Sequence, residues 1–229
     1  FNENWLLRLV LDWFSEHDVG EHPLAFSEGA RWFSEALLPS AFLSRRRGDT
    51  LAESWTHADG LIGHFQIGGS GRGDLRLLQD ASQLVVLEGK IFSRLSPGVK
   101  NAPFYDQAAR NVGCTSEVLR RANRRPDDMR RLAFHVLAPE SQIKDGVFAA
   151  EVTAESIRRK VERRVDEYGG ERDQWLHDWF EPTMQHIDIA CLTWESLVED
   201  IVKTDRMVGD ALRSFYDKCL LFNGPAKRK

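Results

Sequence analysis

Apolar residues recur at helical spacing towards both ends of the chain. In residues 3–15 they fall at every third or fourth position, which predicts an amphipathic helix. Ser27 is a suitable N-cap for a second helix, which we expect to end near Leu38. Thr153 is a suitable N-cap for a later helix, and similar spacing predicts a final helix that ends near Phe222.

The middle of the chain carries short apolar runs that predict β-strands. These runs cover residues 60–68, 84–87, 132–137 and 187–194. Residues 84–87 are apolar on both faces, as expected for a central strand that is covered on both sides. A further helix is predicted after Pro103. The order of these elements indicates an α/β protein, with a mixed β-sheet flanked by α-helices on both faces.

The segment from Asp74 to Lys90 predicts a tight β-hairpin. If the chain turns at Ala81, antiparallel pairing sets Asp74 opposite Glu88, and directly opposed residues have Cβ atoms about 4.5–5.5 Å apart. Lys90 falls on the same face as Glu88, because side chains alternate along a strand. We therefore expect two carboxylates and a lysine to converge at the open end of the hairpin. All three positions depend on this one register.

The composition is that of an ordinary globular protein. The 229 residues are 42% apolar and 29% charged, and no apolar run reaches the roughly 18–20 residues that span a membrane. This length favours a single domain over residues 1–229. Within it we expect an N-terminal helical extension (1–26), a core (27–137), C-terminal helices with a last strand (138–222) and a loose tail (223–229).

The cysteines and the N-terminus bear on localisation. Cys114, Cys191 and Cys219 are widely spaced and odd in number, which argues against a disulfide framework or a zinc cluster. The first residues show neither the basic region nor the cleavage site of a signal peptide. We therefore expect a cytoplasmic protein with no membrane partner.

The charge distribution leaves two interpretations open. The net charge is −4, yet arginines are clustered, for example at 45–47, 120–121 and 124–125. Local basic patches attract phosphate groups even on an acidic protein. Solvated helix faces explain any single cluster equally well.

The predicted hairpin would suit a hard divalent cation. Mg²⁺ prefers oxygen ligands and usually takes one or two protein carboxylates together with waters and substrate phosphates. Asp74 and Glu88 would supply that pair, and the bound ion would activate a water for attack on phosphorus. Lys90 would orient this water or stabilise the developing charge.

These residues resemble the signature of a known superfamily. Asp74, a gap of thirteen residues, Glu88 and Lys90 resemble the Asp…(Asp/Glu)-x-Lys pattern of the PD-(D/E)xK, or restriction-endonuclease-like, nucleases. The resemblance covers residues 27–137. It implies a restriction-endonuclease-like mixed β-sheet core and hydrolysis of phosphodiester bonds, most often in DNA, that depends on Mg²⁺ or Mn²⁺. Asp74 and Glu88 would be the metal ligands and Lys90 the catalytic lysine.

The same resemblance suggests auxiliary residues. Many members of the superfamily add a glutamate from the helix that precedes the first strand. Glu35 is the candidate here and Glu28 the second choice, although both also fit solvent-facing helix positions. Gln107 and Tyr105 resemble polar residues that the following helix can offer to the site or to the DNA backbone, and Tyr105 equally fits a core position.

Further side chains are candidates for contacts with nucleic acid. These are Arg72, Lys100, Arg120 and Arg124. One other segment, residues 56–60, could place His57 or Asp59 near the site, but a turn that leads into the next strand explains it equally well.

The sequence thus predicts a metal-dependent nuclease, acting on DNA as a homodimer or as a subunit of a larger defence or repair system. Two other hypotheses remain at this point. One is a catalytically inactive member of the same fold that binds nucleic acid or acts as a scaffold. The other is an unrelated α/β enzyme that acts on a small phosphorylated metabolite, in a closed pocket around Glu88.

Overall fold

The computed structural model describes residues 2–68 and 74–224. The strands are β1 (Arg31–Leu38), β2 (Thr56–Gly63), β3 (Phe65–Ile67), β4 (Leu75–Leu77), β5 (Gln83–Gly89), β6 (Arg131–Ala138) and β7 (Asp188–Thr193). The α-helices are α1 (Glu3–Glu16), α2 (Gln107–Ala122), α3 (Glu140–Lys144), α4 (Ala154–Asp166), α5 (Asp173–Trp175), α6 (Glu181–His186), α7 (Trp194–Thr204) and α8 (Arg206–Asn223). A 3₁₀ turn at Pro126–Asp128 and a π-helical turn at Leu176–Phe180 join some of them.

Five strands form one mixed sheet in the order β1-β2-β5-β6-β7. The pairs β1–β2 and β2–β5 are antiparallel, whereas β5–β6 and β6–β7 are parallel. Helix α2 makes the crossover from β5 to β6, since parallel neighbours need a long connection. The short strands β3 and β4 pair only with each other, as a separate hairpin.

The two faces of this sheet carry the two halves of the hydrophobic core. Alternate residues of β5 point to opposite faces, so Val86 packs with the α2 and α4 side and Val85 with the α1, α7 and α8 side. All seven residues of β5 are buried, which confirms the central strand predicted from its apolar run. The α/β class, the mixed sheet and the helices on both faces are likewise confirmed.

Several predicted boundaries agree closely with the structure. The N-terminal helix is α1, and Leu7 and Leu11 of this helix pack against Gly60 of β2. Thr153 caps α4 by accepting a hydrogen bond from the Ser156 backbone. The predicted strands 132–137 and 187–194 correspond to β6 and β7.

The helix predicted from Ser27 to Leu38 is wrong, because residues 31–38 form strand β1. Trp32 and Phe33 pack on opposite faces of the sheet, which is the alternation of a strand. Over eight residues this pattern could not be distinguished from a helical one.

The strand predicted over residues 60–68 is divided into the end of β2 and strand β3. The division falls near Gly63, which has a φ of +156° and where a Cβ would lie 2.3 Å from the Gln83 carbonyl oxygen.

The hairpin predicted between residues 74 and 90 is wrong as well. Strand β4 pairs with β3, whereas β5 pairs with β2 and β6. The backbone hydrogen bonds of β5 are therefore made with distant strands and not with the neighbouring arm. This changes which carboxylate faces Glu88.

Two predictions concern residues at the edges of the described ranges. Arg72 lies outside the described residues, and so do residues 225–229 of the predicted tail. Asn223, which was assigned to that tail, still belongs to α8. None of the helices in the described ranges has the length and apolarity needed to cross a lipid bilayer.

Candidate functional site

Two carboxylates meet on neighbouring strands of the sheet, and they are Asp59 and Glu88. Gly60 of β2 pairs with Leu87 of β5, so the antiparallel register places the preceding Asp59 opposite Glu88. Asp59 is close enough for its negative charge to raise the pKa of Glu88. Asp59 is half-buried, whereas Glu88 is only 1% exposed. The N-terminal half of β2 thus supplies the second acid.

Three donors surround the Glu88 carboxylate. The Lys90 ammonium donates to Oε1, as the strand alternation predicted. The Gln107 amide, from the first residue of α2, donates to the same oxygen at 2.6 Å. One turn further along α2, the Asn111 amide lies 3.4 Å from Oε2. Lys90 thus lies on the same side of β5 as Glu88, as the strand alternation predicted. Gln107 and Asn111 of α2 also contact the Glu88 carboxylate, and Asn111 was not a candidate from the sequence.

The surroundings of Glu88 favour its neutral form. Burial, and after it the negative charge of Asp59, raise the pKa of Glu88 from 4.5 to about 8. Lys90 acts in the opposite direction but does not compensate. Two acids held this close, one of them buried, attract a positive charge between them, either a shared proton or a cation.

Backbone contacts hold the two acids in place. The Gly89 amide donates to Asp59 Oδ2 at 2.9 Å, and the Trp194 indole donates to the Lys90 carbonyl at 2.9 Å. A Cβ built on Gly89 would lie 3.6 Å from Glu3 Cβ and 3.9 Å from Asp59 Oδ2. The first turn of α1 therefore reaches the same end of β5 as the two acids.

Asp74 does not lie opposite Glu88. It forms an isolated bridge with Leu37 on the outer edge of β1, and its carboxylate lies 3.7 Å from Arg76 Nε. Strands β1 and β2 lie between Asp74 and β5, so three strand spacings separate them. At about 4.8 Å per spacing, Asp74 is roughly 14 Å from β5. The expected pairing of Asp74 with Glu88 is thus wrong, and the acid that faces Glu88 is Asp59.

The two auxiliary glutamates have different outcomes. Glu35 lies in β1 and not in a helix, but its position is beside Asp59 in the β1–β2 register. Its carboxylate accepts a hydrogen bond from Asn4 at 2.7 Å and lies 3.9 Å from His57 Nδ1. Glu28 lies before β1, at the end of the sheet opposite Glu88, because its carbonyl contacts His64 there.

The predicted basic contacts lie at both ends of the sheet. Lys100 is exposed in the loop that follows β5, on the same end as Glu88. Arg120 is engaged by Glu117, and Arg124 donates to the Ala81 carbonyl before β5 begins. Arg124 is therefore near the opposite end of the sheet, whereas Arg120 lines a cavity together with Ser40 and Ala41, which follow β1. Tyr105 is fully buried against Phe42, so it belongs to the core.

The ligand types present fit a magnesium or manganese ion. Within residues 2–68 and 74–224, no group of three or more His, Cys, Asp or Glu side chains is arranged to hold a metal. A hard divalent cation needs only one or two protein carboxylates, and Asp59 and Glu88 supply two. The buried Asn111 Oδ1 has no hydrogen-bond partner within the described part of the chain. Oxygen ligands of the type that a hard divalent cation prefers are thus present.

Sequence reasoning missed Asn111 and Glu3 and treated Asp59 only as an alternative. The signal for Asn111 was its position four residues after Gln107, which places both on one face of α2. The signal for Asp59 was an acid at the start of an apolar strand, but the β3–β4 hairpin separates it from Glu88 along the chain.

Comparisons with known protein families, with curated proteins and with solved structures find no match to this chain. Any likeness to a nuclease superfamily therefore rests on the residues and geometry described above.

Proposed function

We propose that this protein is a metal-dependent nuclease that hydrolyses phosphodiester bonds in DNA. The observation that carries this proposal is the meeting of Asp59, Glu88 and Lys90 at one end of the sheet. With Asp59 as the first acid, the chain retains an Asp…Glu-x-Lys pattern in the spatial arrangement that the signature requires. A restriction-endonuclease-like core is also consistent with the order of the elements. These are helix α1, the antiparallel strands β1, β2 and β5, the crossover helix α2 and the parallel strand β6.

Each side chain has a definite role in this proposal. Asp59 and Glu88 hold a Mg²⁺ or Mn²⁺ ion, which when bound supplies a Lewis acid and a hydroxide near neutral pH. Gln107 and Asn111 orient the Glu88 carboxylate through their amide groups. Lys90, whose ammonium group is held beside Glu88, stabilises negative charge on the phosphoryl oxygens.

Exposed cations on the same end of the sheet support a polyanionic substrate. Arg46 and Arg47 lie in the loop between β1 and β2, and Arg94 and Lys100 lie in the loop after β5. Across the described ranges, none of the four forms an ion pair within 4.0 Å. They are available to position a phosphate backbone without reading its sequence.

A cleavage assay with matched variants tests the proposal. Supercoiled, linear and single-stranded DNA are incubated with the protein and Mg²⁺ or Mn²⁺. We expect Asp59→Asn, Glu88→Gln and Lys90→Met each to reduce the cleavage rate at least a hundredfold, because each removes a charged group from the site. Asp74→Asn is the matched control, since Asp74 was the acid predicted from sequence but lies away from Glu88.

The outcomes separate the competing hypotheses. Loss of cleavage in Asp59→Asn with near-normal cleavage in Asp74→Asn supports the proposed site. Loss in Asp74→Asn with normal activity in Asp59→Asn rejects it. DNA binding without cleavage by the wild-type protein would instead favour an inactive binding or scaffolding member of the same fold.

A further inference from the structure

Among the residues that the structure describes, the large exposed apolar side chains lie on two helices, α1 and α8. Within the described ranges, the large hydrophobic residues classed as exposed are Trp5 and Leu9 of α1 and Met207, Leu221 and Phe222 of α8. Met207 is 81% exposed and Phe222 is 66% exposed. Helices α1 and α8 pack against each other, and Leu9 of α1 lines the same groove as Met207 of α8. Concentrated apolar exposure of this kind marks an interaction site more often than scattered surface leucines do.

A groove runs along this surface between the two helices. It has a volume of about 420 Å³ and is lined by Leu9, Met207, Val208, Ala211, Leu212 and Phe215. Met207, Ala211 and Phe215 follow one another at intervals of four residues, so they form a stripe on one side of α8. Met207 projects from this stripe while Ala211 leaves room beside it. The surface thus contains both a protruding apolar side chain and a recess.

The charged residues of α8 have an order that complements itself. Arg206, Asp210, Arg213 and Asp217 occur at positions i, i+4, i+7 and i+11, which places them in one row on the exposed side of the helix. Arg206 and Arg213 both contact Asp210 within one protomer, and Arg213 also donates to Glu199 of α7 at 2.8 Å. The row is therefore ordered and carries no net charge.

An antiparallel arrangement of two such helices pairs opposite charges throughout. With a two-fold axis between Ala211 and Leu212, Arg206 lies opposite Asp217 of the partner subunit, and Asp210 lies opposite Arg213 of the partner subunit. A parallel arrangement in register would instead oppose arginine to arginine. The charge order thus selects one orientation, as flanking charges do in paired helices.

We propose that the α1–α8 surface binds a second copy of this chain, with the two α8 helices antiparallel. In this arrangement Met207 packs over Phe215 of the partner subunit and enters the groove beside it. A methionine sulfur against an aromatic ring is a favourable contact. The two-fold symmetry repeats each contact, since an isologous interface uses the same surface twice.

Sedimentation equilibrium tests whether this dimer forms. We expect the wild-type chain to sediment as a dimer at micromolar concentration and the Met207→Glu variant as a monomer, with the dissociation constant raised at least about a hundredfold. Lys144→Glu, an exposed change on α3 and away from this surface, is the control and should remain dimeric. A monomeric wild-type chain at 100 μM, or a dimeric Met207→Glu variant, overturns the proposal.

A charge exchange tests the orientation. The double variant Arg206→Glu/Arg213→Glu places only acids along the row, and Asp210→Arg/Asp217→Arg places only bases there. Each double variant should dimerise at least tenfold more weakly than wild type, and an equimolar mixture should form heterodimers at near wild-type affinity. Unchanged self-association of the double variants, or a mixture that stays monomeric, overturns the antiparallel assignment. Circular dichroism verifies that each variant is folded, as expected for substitutions at exposed positions.

Discussion

Glu88 is the residue whose environment departs most from that of a surface carboxylate. It is buried beside Asp59, and its pKa of about 8 means that the folded protein keeps its proton where an unfolded chain has lost it. Because the folded state then binds more protons, the stabilising contribution of this group is fully present below pH 4.5. It is lost as the pH rises from about 4.5 to about 8.

We therefore predict that Glu88→Gln flattens the pH dependence of stability. In metal-free buffer, the free energy of unfolding of the wild type should fall by a few kcal/mol between pH 5 and pH 8, whereas that of the variant should change much less. Urea unfolding at several pH values measures this. The exposed Glu16→Gln change is the control and should keep the wild-type slope. Parallel curves for wild type and Glu88→Gln would contradict the buried, protonated state of Glu88.

Trp194 supports the site from the other face of the sheet. Its indole is fully buried and donates to the Lys90 carbonyl. We predict that Trp194→Phe lowers the free energy of unfolding by about 1–3 kcal/mol, because a buried carbonyl loses its donor. Thermal or urea unfolding measures the loss. Arg159→Lys, at an exposed position on α4, should change stability by less than about 0.5 kcal/mol, so equal effects of the two changes would argue against this role.

The individual elements differ in how far their sequences define them. Strand β5 could be predicted because it is apolar on both faces and central in the sheet. Strand β1 could not, because eight residues satisfy both periodicities until their partner strand is known. Glu88 and Lys90 share one strand, so their relative placement follows from its alternation. Asp59 joins them only through the β2–β5 pairing, which local pattern does not specify.

Helices α7 and α8 depend on a close approach at Gly209. A Cβ at this position would lie 2.5 Å from Val202 Cα and 2.6 Å from Val202 N, which are backbone atoms of α7. We predict that Gly209→Ala destabilises the protein by about 1–3 kcal/mol, although alanine is the better helix former by about 1 kcal/mol. Differential scanning calorimetry measures this. The exposed Ser214→Ala change on α8 should be neutral or slightly stabilising, and a similar gain in Gly209→Ala would exclude the predicted clash.

At the scale of the whole molecule, the C-terminal half anchors the long loop between β1 and β2. Arg164 is fully buried in α4. Its guanidinium donates to the Leu51 carbonyl, and the Tyr168 hydroxyl donates to the same oxygen at 2.8 Å. These contacts join residues more than a hundred positions apart, which local patterns cannot predict.

This anchoring can be measured as protection from protease. Arg45, Arg46 and Arg47 are exposed trypsin sites in the same loop, and cleavage there requires the loop to move away from its anchors. Loss of a charge-assisted hydrogen bond costs about 1.5–3 kcal/mol, so Arg164→Met should raise the cleavage rate in this loop at least about tenfold. Mass spectrometry of the early fragments measures the rate. Arg159→Met, an exposed change on the same helix, should leave it unchanged. Cleavage of both variants as slow as that of the wild type would show that Arg164 is not the contact that holds the loop. Other contacts would then hold it, such as the hydrogen bond that the Asn101 amide donates to the Ala52 carbonyl.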